Sequence, residues 1–289
     1  MYKVDNAIIM AAGTSSRFAP LSFELPKALI EVKGEVLIER QIKQLLEVGI
    51  KEIVIVTGYK HEQFEYLKDK YNVVLLHNKD YLTRNNHASI YVAKDYLKNS
   101  YICSADNYFT INPFENKVDC SYYSALYAEG ETKEWCLKYD SNDFITDVKI
   151  GGYDSWYMLG HTFWDETFSK EFMSILEGIY DLEDTKDKLW ESIYMEHIDT
   201  LKMKIRKYNN EDIFEFDTLD ELRLFDHSYY NDTRSKILKD IALKLQTTEC
   251  NLINILAYKD ENNAASGFTF MFKNQLYKYS YLKGEIELL

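Results

Sequence analysis

The chain has 289 residues, 46% of them hydrophobic, which is enough for one large α/β domain with an appendage. Its formal net charge of −13 argues against nucleic acid or an anionic membrane as the main partner, so any anionic ligand has to be held by locally placed cations. With 3 Pro and 11 Gly, long disordered linkers are not expected.

Ala7–Met10 is a short apolar run that reads as a strand. It stops at Ala11-Ala12-Gly13-Thr14-Ser15-Ser16-Arg17, a small-residue loop, and Pro26-Lys27 follows. Ile38, Ile42, Leu45 and Leu46 share a helical face that Gly49 ends. Glu52–Thr57 reads as a buried strand, His61–Lys70 as a polar helix, Val73–Leu76 as a strand, Ala88–Leu97 as a helix and Tyr101–Ser104 as a strand. Repeated βαβ units predict a parallel sheet with helices on both faces. From Ser121 the pattern changes to four short strands, Ser121–Tyr127, Trp135–Tyr139, Phe144–Ile150 and Tyr157–Phe163, antiparallel in part. Helices are predicted over Glu166–Tyr180, Lys188–Glu196 and Leu219–Phe225, and strands over Met203–Tyr208 and Ile213–Phe216. After about Tyr229 a separate segment carries a helix stripe (Ile237, Leu238, Ile241, Leu245) and strands Phe268–Phe272 and Leu276–Tyr281.

The small-residue loop lets backbone N–H groups approach phosphate oxygens, and Arg17 and Lys27 add two cations. A tight turn after a first strand is the plainer reading of the loop alone. Asp106 directly follows a strand, where ligands gather in an open parallel sheet, and a carboxylate there suits Mg²⁺. Asp217 ends a strand ahead of a helix and is a second such carboxylate. A turn or helix cap would also explain either residue. Trp135, Trp164 and Trp190 each have an acidic neighbour. Tryptophan faces attract quaternary ammonium, although most tryptophans serve packing. The cysteines Cys103, Cys120, Cys136 and Cys250 form no Cys-x-x-Cys pair and read as reduced packing thiols of a cytoplasmic protein. No signal peptide or bilayer-spanning run is visible, no histidine pair has metal spacing, and neither a P-loop nor a Gly-x-Ser-x-Gly motif is present.

Together these stretches resemble the sugar-nucleotide-type nucleotidyltransferases, and within them the bacterial CTP:phosphocholine cytidylyltransferases. The likeness covers roughly residues 1–228. It rests on the loop through Pro20-Leu21 and Pro26-Lys27-Ala28-Leu29, and on Leu37–Ile42, Gly58–Phe64, Asn85-Asn86, Ala105–Tyr108, Glu134-Trp135, Phe163–Asp165, Leu189-Trp190 and Glu215–Asp217. Two departures stand out: Ser15-Ser16 occupies a place where many relatives have a second glycine, and Ala19 one that is often basic.

The resemblance implies a Rossmann-like α/β fold with a mixed, mostly parallel sheet. It implies a nucleotidyltransferase domain over 1–228 and an α+β appendage over 229–289. It also implies transfer of CMP from CTP to phosphocholine, with Mg²⁺ as cofactor and no nucleic acid or membrane partner. On this reading Arg17 and Lys27 hold the triphosphate, and Asp106 and Asp217 hold the metal. The loop Ala11, Ala12, Gly13, Thr14, Ser15 and Ser16, with Asn85, Asn86 and Ser89, binds the nucleotide. Trp135 and Trp190, with Glu215 and Trp164, face the choline. Phosphoethanolamine or 2-aminoethylphosphonate as acceptor, and a scaffold without activity, are the alternatives. The tail resembles the truncated start of a choline-kinase-like amino-terminal lobe (Ile255–Tyr281, with Asn263), without kinase activity. A docking extension that covers a helix face or mediates homodimerisation is the stronger reading of it.

Overall fold

The computed structural model describes residues 1–259 and 265–289, so Asn263 lies outside the described residues. Contacts divide the chain into two compact units, 1–13 with 38–215, and 14–37 with 216–289. The division is not linear in sequence. The chain leaves the first unit after Gly13 and re-enters it at Ile38, and the segment between groups with the C-terminal residues.

The first unit is built on a seven-stranded sheet. Its strands are β1 (Asn6–Ala11), β2 (Glu52–Thr57), β3 (Val74–His77), β4 (Ser100–Ser104), β6 (Tyr122–Tyr139), β7 (Ile145–Trp164) and β8 (Lys204–Lys207), ordered β8-β6-β7-β4-β1-β2-β3. The run β4-β1-β2-β3 is parallel, β7 lies antiparallel to both β6 and β4, and β8 is parallel to β6. A two-stranded ladder pairs β5 (Asn107–Phe109) with β9 (Ile213–Glu215). In β1, Ala7, Ile8 and Ile9 are fully buried, which is why the strand reads as an unbroken apolar run. Helix Leu37–Glu47 buries Ile38, Ile42 and Leu45 and ends at Gly49 with φ +86°, whereas Leu46 falls on its exposed side.

The four short strands expected after Ser121 are two long ones, β6 and β7, joined at Asp140–Asp143. Gly130 and Gly151, both at positive φ, act inside the hairpin and do not end strands; they sit beside breaks in its register. The Asp140 carboxylate accepts from Asn142 N and Phe144 N and makes the actual reversal. Helix Glu166–Ile179 is capped by Asp165, which accepts from Thr167 N and Phe168 N. Much of the aromatic content fills this unit's core. Trp164, Phe168, Phe172 and Trp190 pack together, and Tyr101, Phe109, Phe114 and Tyr122 surround His161. Burial and the nearby Arg206 push that imidazole down to about 3, so it is neutral and bonds the Tyr122 hydroxyl at 2.8 Å.

The second unit contains a four-stranded antiparallel meander, β10 (Ile253–Lys259), β11 (Ala265–Phe272), β12 (Gln275–Ser280) and β13 (Glu285–Leu288). Two of these strands were expected from sequence. Phe268, Phe270 and Phe272 form its buried stripe, and helix Lys236–Lys244 buries Leu238, Ile241 and Ala242.

Candidate active site

The carboxyl ends of β1 and β4 carry the first group of predicted residues. Ala11 and Ala12 are buried where β1 ends, and Ala12 O accepts from Tyr59 N at 3.0 Å. Gly58 permits this approach, because a Cβ there would lie 2.7 Å from Ala12 O. Gly13 is exposed, and a Cβ on it would meet nothing within 4 Å. Asp106 lies in the turn between β4 and β5 and accepts from Ser104 Oγ at 2.6 Å. Gln41 fixes that turn from helix Leu37–Glu47, donating to both Ser104 O and Asn107 O at 2.9 Å. Asn107 pairs with Glu215 across the short ladder.

A cavity of about 140 Å³ lies beside this turn, entirely within the first unit. Asn86, Tyr123, Met158, Trp190, Glu191 and Glu215 supply its chemistry. The rings of Tyr123 and Trp190 stack at 5.6 Å and 15°. Trp190 opens helix Trp190–Glu196, and its backbone N–H donates to Asn86 Oδ1 at 2.7 Å. The Asn86 amide in turn donates to Glu191 Oε2 at 3.1 Å, and Tyr123 OH donates to Glu191 Oε1 at 3.2 Å. Burial pushes the Glu191 carboxyl up to about 7, against the opposing pull of those two hydrogen bonds. Burial, then Glu191 and Glu215, raise the Tyr123 phenol; burial, then Glu134 and Glu215, raise that of Tyr157. The cavity is therefore an aromatic wall among carboxylates, an environment that favours a cation.

The second unit carries the predicted cations. Ser15 takes the left-handed conformation, φ 47°, and leads into the turn Ser16–Phe18 that bears Arg17. Arg17 pairs with Asp217 at 2.7 Å. Asp217 does not cap the following helix. Thr218 does, accepting from Glu221 N, while Asp217 N donates to Glu221 Oε2. Lys27 is buried, with its Nζ 5.7 Å from the Phe18 ring centre.

Residues 7–111 match the MobA-like NTP transferase domain. The choline-phosphate cytidylyltransferase of Streptococcus pneumoniae is 35% identical over 226 residues, which are 78% of this chain and 99% of that protein. A solved structure of the pneumococcal CTP:phosphocholine cytidylyltransferase superposes with a TM-score of 0.75 over the same shares of the two chains. The chain belongs to this cytidylyltransferase family. A 2-aminoethylphosphonate cytidylyltransferase of Lancefieldella rimae is also 35% identical, over 78% of this chain and 93% of its own. The inositol-1-phosphate CTP transferase of T. maritima shares the fold at 17% identity and a TM-score of 0.60.

Measured against the expectations for a cytidylyltransferase, the structure gathers Asn86, Trp190 and Glu215 at one cavity. Trp164 is fully buried and backs Trp190 from the core at 5.0 Å and 70°. Trp135 is half-buried in the hairpin. Asn85 donates to Asp187 O, and the buried Ser89 accepts from Asn78, so both side chains bond within the protein. Asp106 belongs to the first unit; Arg17, Lys27 and Asp217 belong to the second. Tyr123 and Glu191 escaped the sequence reading. The one signal for Glu191 was its place next to Trp190; nothing in the local sequence distinguishes Tyr123 from the other 23 tyrosines of the 24.

Proposed function

We propose that this enzyme transfers CMP from CTP to phosphocholine, releasing pyrophosphate. The observation that carries the reading is the cavity in which the Tyr123 and Trp190 rings meet Glu191 and Glu215, beside the Asp106 turn. A quaternary ammonium gives no hydrogen bonds and is held by ring faces and nearby negative charge, which this wall supplies. Both oxygens of Glu191 already accept from neutral donors, so its contribution is charge. A primary ammonium needs several acceptors placed for its three N–H groups. That is the weaker match, although the Lancefieldella relative keeps 2-aminoethylphosphonate as the second reading.

In the proposed reaction a phosphocholine oxygen attacks the α-phosphorus of CTP in line. The new P–O bond forms as the bond to the β-phosphate oxygen breaks, and pyrophosphate leaves with the electron pair. A phosphomonoester is already largely dianionic above its second pKa of about 6, so no general base is needed. Arg17 and Lys27 neutralise the triphosphate and the leaving charge, and the backbone of 11–16 carries the nucleotide phosphates. Asn86 is assigned to the amine cavity on its bonds to Trp190 and Glu191. Trp164 supports Trp190 from behind, whereas Trp135 is not among the residues that line the cavity, and its proposed contact with the choline rests on the resemblance alone.

Asp106 and Asp217 are the residues that would hold Mg²⁺. The fit is one of donor chemistry: two hard carboxylates, each offering about four lone-pair sites, suit an ion that takes one or two carboxylates and fills its shell with phosphates and water. When bound, the ion supplies charge neutralisation on the reacting phosphates. The protein's free thiols suit a cytoplasmic setting. The antiparallel meander is compatible with a kinase-like lobe start, but we assign the tail a supporting role. The decisive assay is pyrophosphate release with CTP, UTP, ATP or dTTP against phosphocholine, phosphoethanolamine, 2-aminoethylphosphonate and glucose-1-phosphate. Fastest turnover with CTP and phosphocholine is expected; a clear preference for another pair overturns the assignment.

A further inference from the structure

The second unit joins the C-terminal appendage to the segment that carries both proposed phosphate-binding cations. Between Arg17 and Lys27 the chain forms one short helix, Leu21–Glu24. Its last residue, Glu24, reaches the start of the appendage helix Lys236–Lys244. There its carboxylate accepts from Ser235 Oγ at 2.6 Å, Lys236 N at 2.9 Å and Ile237 N at 3.0 Å. An anion at a helix N-terminus satisfies donors that have no partner within the helix and gains from the aligned peptide dipoles. The neighbouring Phe23 stacks on Tyr281 with ring centres 3.7 Å apart and planes 7° from parallel.

The appendage is itself held from the side of Asp217. Arg223, fully buried on helix Leu219–Phe225, donates to Leu252 O and Glu249 O at 2.8 Å, and Asp220 accepts from Asn254 N at 2.9 Å. The helix that begins two residues after Asp217 thus grips the tail, and the tail grips the span between Arg17 and Lys27.

We infer that the C-terminal appendage is a built-in brace for the triphosphate-binding segment, with Glu24 and Tyr281 as positioning residues. This rests on the proposed roles of Arg17 and Lys27. A segment ordered before CTP arrives binds it without first having to be organised, whereas a loosened one lowers apparent affinity by the fraction of molecules in the competent state. The brace acts on the nucleotide side. The amine cavity lies in the other unit and is formed without any appendage residue.

The test uses the full chain carrying Glu24→Ala, Glu24→Gln, Tyr281→Ala or Tyr281→Phe. Glu24→Ala and Tyr281→Ala should each raise KM for CTP measurably, with the roughly five- to thirtyfold shift in order that loss of one cap or one stack implies as the ceiling. KM for phosphocholine should stay within about twofold, the scatter expected for an independent site. Tyr281→Phe, which keeps the ring, should stay closer to the parent than Tyr281→Ala, and Glu24→Gln, which keeps one acceptor oxygen, should fall between the parent and Glu24→Ala. Hydrogen exchange supplies a readout independent of activity: residues 14–29 should lose protection in both alanine variants. Unchanged CTP kinetics with unchanged exchange overturns the inference. So does an equal rise in both KM values, which marks general destabilisation. A parent enzyme without pyrophosphate release instead overturns the proposed reaction, and exchange still reports whether the brace exists.

Discussion

Replacing Glu191 by Gln separates charge from shape at the cavity proposed for the amine. In the fold this carboxyl moves from 4.5 up to about 7, with burial the main cause. At 1.36 kcal/mol per pH unit, keeping it ionised costs the folded chain roughly 3 kcal/mol. The sign follows from which state holds the proton. The unfolded chain ionises near 4.5 and the fold near 7, so the native state binds the extra proton between them. Its stabilising contribution is complete below the lower value, declines as pH rises towards 7, and is absent above. Glu191→Gln should therefore melt at a higher temperature than the parent at about pH 8 and close to it at about pH 4. A bound quaternary cation favours the carboxylate, so binding should show the opposite preference. At about pH 8 the variant should have a KM for phosphocholine roughly thirtyfold higher, corresponding to about 2 kcal/mol for a desolvated charge pair. At about pH 6, where the parent carboxyl is mostly protonated, the gap should shrink to a few-fold. Pyrophosphate release at saturating CTP measures this. The substrate's own phosphate titrates near pH 6 for both proteins, so the ratio of the two KM values isolates the side chain. A ratio that is flat with pH refutes the reasoning, as does a variant indistinguishable from the parent at high pH.

Lys27→Ala should reduce turnover about 10²- to 10³-fold, the usual effect of removing one group that stabilises developing charge, with circular dichroism confirming a folded chain; parental kinetics would reject its role. Asp106→Asn should abolish the Mg²⁺-dependent part of the activity, and full turnover in a magnesium titration would remove this residue from metal binding. Trp135→Ala should raise KM for phosphocholine more than for CTP, and an equal rise in both would mark it as a packing residue. Ser15→Gly should be neutral or raise the melting temperature slightly, because a left-handed non-glycine residue costs about 1 kcal/mol; a large loss of stability would mean that the Ser15 side chain is needed.

The strands β1 and β2 were readable because burial on both faces writes an uninterrupted apolar run. The hairpin was not, because Gly130, Gly151 and Gly152 imitate turn residues while the real reversal depends on Asp140 bonding its own downstream backbone. Asp217 looked like a helix cap because Thr218, which caps, stands next to it and has the same local preference. At the cavity, Trp190 and Glu215 announced themselves by residue type. Tyr123 and Glu191 acquire their meaning only when β6 and helix Trp190–Glu196 are brought together, 68 positions apart in sequence. The link between the Arg17–Lys27 segment and the tail was invisible for the same reason: Glu24 and Ser235 stand 211 positions apart.

Asn86 touches both the first N–H of the helix that presents Trp190 and the carboxylate of Glu191. One amide therefore sets the spacing between the flat face and the charge that a bound amine would feel. Most of that wall comes from the hairpin and later elements, whereas the glycine-bearing loop belongs to the start of the chain. On the proposed roles, substitutions at a few wall positions around that amide would change which amine fits while leaving the loop proposed for the nucleotide untouched.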